Sequence, residues 1–227
     1  MTILRARVAS LTTMLAACIL FLTLAAAAPA GAQTLMDEWS KVKAPPAPEL
    51  KAVAVDPKTT ALLLVDFVKP ICNAQRFAHC PGIIPAAKKL LDEARASGAT
   101  IVHTSTLVPN IGQSEIYPEV AVTGDEIFLQ GYPDKFLRNN LEKTLKDKGI
   151  TTLITVGVAA QAGILDTDIE AAQMGFNIVL PVDGIAAQDY YYEQYTVWDL
   201  SHAPVVANKT TLTSVDMIKF VPAAGGK

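Results

Sequence analysis

Thr151–Gly175, TTLITVGVAAQAGILDTDIEAAQMG, is the stretch that decides the fold. It opens on a short apolar, β-branched run, Thr152-Leu153-Ile154-Thr155-Val156, which predicts a buried strand. Gly157 ends that run. From about Gln161 the period changes, with Ile164, Leu165, Ile169 and Ala172 at helical spacings and Gly175 placed as a C-cap. Strand, tight turn and helix make half of a βαβ unit. The helix N-terminus then points beyond the carboxyl end of the strand, where open parallel sheets bind ligands.

Outward from this unit, strands and helices alternate. Ala61–Phe67 is a nearly continuous apolar run, as expected of a strand covered on both faces, and Asp66 comes near its end. A carboxylate there is costly to bury unless it is paired or used. Ile83–Ala96 predicts an amphipathic helix closed by Gly98, and Thr100–Leu107 a strand carrying His103. A long polar loop, Pro109–Asp125, of the kind that forms lids or subunit contacts, leads to a short strand at Glu126–Gln130. Pro133-Asp134 then opens a helix with Asp134 as N-cap. Asn177–Val182 reads as a fifth strand, Tyr190–Leu200 as a helix and Pro204–Ala207 as a sixth strand. On that helix Tyr191, Tyr195 and Trp198 share a face suited to core or dimer packing. The sum is an α/β fold: a three-layer α/β/α sandwich around a mostly parallel, Rossmann-like sheet of about six strands.

Composition bounds the function. With 227 residues, 51% hydrophobic and 18% charged, the chain is long enough for one globular domain with a full core. Residues 1–32 stand apart as an expected signal peptide, with Arg5 and Arg7 before a mostly apolar Val8–Ala28 and an Ala30-Gly31-Ala32 cleavage pattern. A transmembrane anchor and acylation at Cys18 of Leu15-Ala16-Ala17-Cys18 are the alternatives. Residues 33–56 read as an extended arm, with Ala44-Pro45-Pro46-Ala47-Pro48 as a polyproline-like spacer, and the domain proper as 57–227. Losing Arg5 and Arg7 takes the formal net charge from −3 to −5, and no basic run suggests nucleic acid or, after leader removal, a membrane surface. A small-molecule substrate, a homo-oligomer and a periplasmic or secreted location are expected.

Cys72 and Cys80 are the only cysteines beyond the leader and lie on the loop Lys69–Pro81. In an exported protein that spacing suggests a disulfide, the rival being that one of them serves as a nucleophile. His79, His103 and His202 form no D-x-H or H-x-H pair, so neither a metal nor another cofactor is expected.

Gly157-Val158-Ala159-Ala160-Gln161-Ala162-Gly163-Ile164 resembles the G-V-A-T-x-x-C-V turn of the isochorismatase-like (cysteine hydrolase) family. Leu62–Phe67 is similar to that family's first strand with its catalytic Asp, and Phe136–Gly149 to its F-x-x-T-x-L-x-x-x-L-x-x-x-G helix. Val182-Asp183-Gly184-Ile185 resembles its V-x-D-A/G loop, so roughly residues 58–215 are covered. The resemblance implies an active site of Asp, Lys and Cys. Asp66 takes the first place, and Gly163 stands where the Cys would be. Aligning Phe136 puts the Lys at Gln130, while Lys135 is the lysine nearby. The implied pocket collects Asp66, Gln130 and Lys135 as catalytic candidates, with Phe67, Val158, Ala159, Gln161, Gly163 and Asp166 around the substrate and a cis Val158–Ala159 bond.

Three functions follow from this reading. The first is an exported hydrolase using Asp66 in acid/base chemistry without a thiol, as in members that resemble this chain in carrying Gly and cleave a vinyl ether. Export argues against isochorismate itself as substrate. The second is an amide or ester hydrolase with another nucleophile. The third is a catalytically silent binding protein of the same fold.

Overall fold

The computed structural model describes residues 33–107 and 111–222. The expected signal peptide, residues 1–32, lies outside the described residues. The chain divides into two units, one ending at Pro46 and one starting at Ala47. In the first, Leu35–Glu38 forms one helical turn, and the Asp37 carboxylate accepts the N–H of Thr34 at 2.8 Å. The second holds the sheet. It starts before residue 57: the Lys51 N–H donates to the Leu212 carbonyl at 2.9 Å. Strand β1 (Val53–Val55) pairs parallel with β8 (Ile218–Phe220) in a separate two-stranded sheet. The end of the expected arm is therefore part of the folded unit.

The main sheet has β2 (Thr60–Val65), β3 (Thr100–Thr106), β4 (Ile127–Gly131), β5 (Thr152–Gly157), β6 (Asn177–Pro181) and β7 (Thr210–Thr213). Their order is β4-β3-β2-β5-β6-β7 and every pairing is parallel. Helix α1 (Cys80–Ser97) covers one face, where Leu90, Leu91 and Ala94 meet Leu62, Leu64 and Ile154. Helices α2 (Leu141–Asp147), α3 (Leu165–Gln173) and α4 (Tyr190–His202) cover the other, against Ala61, Leu63 and Val65. Alternate residues of β2 thus feed opposite cores, which is why its sequence is apolar throughout rather than alternating. This is the three-layer α/β/α sandwich expected from the sequence.

Two elements differ from expectation. The sixth strand is Thr210–Thr213, not Pro204–Ala207. Val205 is exposed with φ +71°, and the Ala207 N–H closes a turn onto Ala203 O. The β-branched Thr210-Thr211 run supplies the strand instead. Asp134 caps a turn rather than a helix, accepting the Phe136 N–H at 2.8 Å, and α2 starts only at Leu141. Tyr191, Tyr195 and Trp198 do share a face of α4, but all three are exposed, so core packing is excluded for them. No helix among the described residues is long and apolar enough to cross a membrane.

Candidate active site

The order β3-β2-β5 makes β2 and β5 adjacent strands whose chain connections leave in opposite directions, and such a switch point opens a crevice at the carboxyl ends. Asp66 follows β2 directly, and the Gly157–Gly163 turn follows β5. Their approach depends on Gly157: at φ +128° a Cβ there would lie 2.0 Å from the Val65 carbonyl oxygen. The Val158 N–H donates to that same oxygen at 3.0 Å, locking the two strand ends together.

Asp66 is 6% exposed, and its backbone is left-handed with φ +56°. Asp is among the few residues with a side chain that tolerate this region, and strained backbone of this kind clusters at functional sites. Lys135 reaches it from the segment after β4 and is wholly buried. Its Nζ donates to Asp66 Oδ1 at 3.0 Å and to Oδ2 at 2.9 Å. A lysine that the sequence could equally place in solvent is therefore an internal partner, and the ammonium offsets the charge of a carboxylate taken out of water. The Lys135 segment is fixed in turn by Thr167 on α3. Its hydroxyl oxygen accepts the Lys135 N–H at 3.1 Å and donates to Pro133 O at 3.3 Å. Thr104 on β3 donates its hydroxyl to Asp66 Oδ1 at 3.0 Å.

Gln130, the other candidate for the lysine's place, is exposed, and its amide donates to the Ile111 carbonyl. The structure brings Lys135, not Gln130, to Asp66. Phe67 is buried in the α1-side core and its carbonyl accepts the Tyr117 N–H at 3.1 Å, so it is a packing residue of the site floor. Asp166 lies exposed on the first turn of α3, where burial and the nearby Asp134 charge raise its carboxyl above the usual range. Among the described residues no hydrogen bond joins it to the Asp66–Lys135 pair.

The turn after β5 runs through a cis Val158–Ala159 bond into a π-helical turn at Ala160–Ile164, with Ala160 N–H donating to Ala186 O at 2.9 Å. Gln161 is half-buried; its amide nitrogen donates to Gln188 Oε1 at 3.3 Å, and its own Oε1 is buried without a partner among the described residues. Gly163 is the informative position. A Cβ there would lie 2.8 Å from Val158 O and 3.1 Å from Val65 Cγ1, so no side chain fits this backbone. Cys72 and Cys80 are disulfide-bonded, with Cα atoms 5.2 Å apart, and both are buried. No free thiol exists among the described residues.

The segment 111–120 packs over the chain that follows Asp66. Lys69 N–H donates to Glu115 O at 2.9 Å, and Tyr117 donates its hydroxyl to Cys72 O at 2.8 Å. The histidines lie in separate places. His79 Nδ1 is 2.7 Å from Glu193, His103 Nε2 is 2.8 Å from Glu126, and His202 stacks on Trp198. Sequence reasoning missed Thr104, Thr167 and the buried Asp168. Only Asp168 left a signal, as a charge on the apolar stripe of Leu165, Ala171 and Ala172.

A family model described as Isochorismatase domain matches residues 60–211. The isochorismatase family protein YwoC of Bacillus subtilis is 26% identical over 159 residues, 60% of this chain and 82% of that protein. The secreted isochorismatase effector Isc1 of Verticillium dahliae is 27% identical over 114 residues, 46% of this chain and 60% of that protein. Among solved structures, an isochorismatase-like hydrolase from Alkaliphilus metalliredigens aligns with a TM-score of 0.61 over 70% of this chain and 96% of its own. Its 21% identity makes that a likeness of fold. The family match runs from the first residue of β2 into β7, taking in the main sheet and both members of the buried pair, and the chain belongs to the isochorismatase domain family.

Proposed function

We propose that this chain is an exported hydrolase of a small molecule in which Asp66 carries the proton and no covalent acyl-enzyme forms. The observation that carries the reading is the pairing of a buried, doubly bonded Asp66–Lys135 site with a Gly163 position that has no room for a nucleophile. In the cycle, Asp66 takes a proton from the attacking water and returns it to the leaving group, while Lys135 keeps the carboxylate in place. Water supplies the hydroxyl that completes hydrolysis, so no thiol is required. In this reading Phe67, Val158, Ala159 and Gln161 are the residues that would meet the substrate beside the pair.

The test is turnover of a panel of small carboxamides, esters and vinyl ethers, followed by mass spectrometry, with wild type and Asp66→Asn. The expected loss is on the order of 10²–10⁴-fold, the usual contribution of proton transfer. Equal turnover by the two proteins would refute the role of Asp66. The near-complete burial of the pair favours a second reading, a silent relative that binds a small ligand. Ligand binding by both proteins with turnover by neither would select it.

Export after residue 32 and a homo-oligomeric state belong to the same proposal. The first is supported by the leader pattern and by a relative described as secreted, the second by the exposed aromatic face of α4. Intact mass and sedimentation velocity of the exported protein read both.

A further inference from the structure

The hydrogen bonds around Asp66 are unevenly divided between its two oxygens. Oδ1 accepts from Lys135 Nζ at 3.0 Å and from the Thr104 hydroxyl at 3.0 Å. Oδ2 accepts only from Lys135 Nζ, at 2.9 Å, among the described residues. Each carboxylate oxygen offers about two lone-pair sites, so Oδ1 is filled and Oδ2 keeps one open. The same threonine holds the backbone: the Asp66 N–H donates to Thr104 O at 3.3 Å, at the register where Val65 pairs with Thr104. Thr104 thus grips Asp66 at two points, across the left-handed turn where the chain leaves β2. It is itself 1% exposed, so water does not compete for its hydroxyl.

We propose that Thr104 is a positioning residue that fixes which oxygen of Asp66 exchanges the proton, and that this oxygen is Oδ2. With Oδ1 committed to two donors, the carboxylate cannot turn about its Cβ–Cγ bond without breaking the Thr104 bond. The open lone pair of Oδ2 therefore keeps one direction. Without the hydroxyl, either oxygen can take the role, and the carboxylate samples orientations in which a proton passes to nothing. The inference rests on the hydrolase reading for its catalytic consequence, but not for its geometry.

The experiment uses the whole chain labelled with 13C at the aspartate carboxyl carbon. Infrared difference spectra against Asp66→Asn identify the bands of Asp66 alone. Thr104→Val should change the splitting between its antisymmetric and symmetric carboxylate bands, and Thr104→Ser should restore it. Thr155→Val is the matched control, because Thr155 also donates to a buried carboxylate, Oδ1 of Asp168 at 2.7 Å, away from Asp66. It should leave the Asp66 bands where they are. Circular dichroism verifies folding, and Thr104→Ala replaces the valine variant if that one does not fold.

On the panel substrate that wild type turns over fastest, Thr104→Val should lower kcat about 10-fold or more, short of the roughly 10²–10⁴-fold that losing the proton transfer outright would cost. KM should stay within about twofold, and serine should rescue kcat, the pattern of an interaction that matters in the transition state alone. Unmoved bands, or a kcat fall that serine does not rescue, overturn the proposal. Moved bands in a protein that turns over no panel member tell against the hydrolase reading and leave the positioning in place.

Discussion

At the scale of single residues, Gly163 is defined by the side chain that its surroundings leave no room for. The absent Cβ of Gly163 leaves room for Val158 O and Val65 Cγ1, which would sit 2.8 and 3.1 Å from it. The Val158 oxygen is backbone in a segment whose neighbouring N–H groups are tied to Val65 O and Ala186 O, so it has little freedom to retreat. Gly163→Cys is expected to strain this turn rather than create a working nucleophile. Overpacking of this kind costs about 1–3 kcal/mol. For a domain of this size each kcal/mol is worth about 2–4 °C in Tm. Differential scanning calorimetry should show that fall, with no new thiol-dependent turnover on the amide and ester panel. A stable Gly163→Cys protein that forms an acyl-enzyme would mean that the turn repacks freely.

At the scale of elements, the loop between β2 and α1 is held by a covalent tie, because Cys72 and Cys80 join its middle to the first turn of the helix. Closing so short a loop contributes about 2–3 kcal/mol when the tie acts through chain entropy. The double change Cys72→Ser, Cys80→Ser should lose about that much in urea unfolding and raise amide exchange across 67–80, while β2 and β5 keep their protection. Undiminished stability would show that core packing alone fixes the loop. This tie was legible in the sequence because two cysteines eight positions apart on one loop, downstream of an expected leader, suggest a disulfide first. Strands β2, β3, β5 and β6 were legible for a related reason: buried parallel strands need apolar, β-branched runs bounded by breakers. The sheet of β1 and β8 was not, since each strand has three residues and they pair across almost the whole domain. Nor was the position of Lys135. Its side chain is chosen by a turn that Thr167 anchors from another element, and no local pattern encodes such a contact.

At the scale of the whole molecule, two carboxylates, one on α3 and one directly before β4, pull the pH dependence of stability in opposite senses. Asp168, on α3, is fully buried; burial raises its carboxyl from 3.8 to about 7, and its Oδ2 has no partner among the described residues. The folded state therefore keeps a proton that the unfolded chain releases near 3.8. Stability falls as pH climbs through that window and levels off above about 7. A tenfold difference in proton affinity between the two states is worth about 1.4 kcal/mol, which bounds the loss at roughly 4 kcal/mol. Glu126 works in the opposite sense. Although burial opposes it, hydrogen bonds from Arg95, Thr123 and His103 lower its carboxyl from 4.5 to about 2. Its contribution is complete above about 4.5 and is lost as pH falls toward 2. The two carboxylate slopes meet near pH 4–5, while His103, whose imidazole burial pushes below 6.5, adds a rise with pH up to that value and so flattens the fall above the crossing. Asp168→Asn mimics the protonated side chain and keeps an acceptor for the Thr155 hydroxyl. It should match wild type near pH 4 and exceed it by several degrees at pH 8, flattening the basic limb while the acid limb stays. A variant whose Tm follows the wild-type curve from pH 4 to pH 8 would show that Asp168 is ionised in the folded protein and that another group carries the slope.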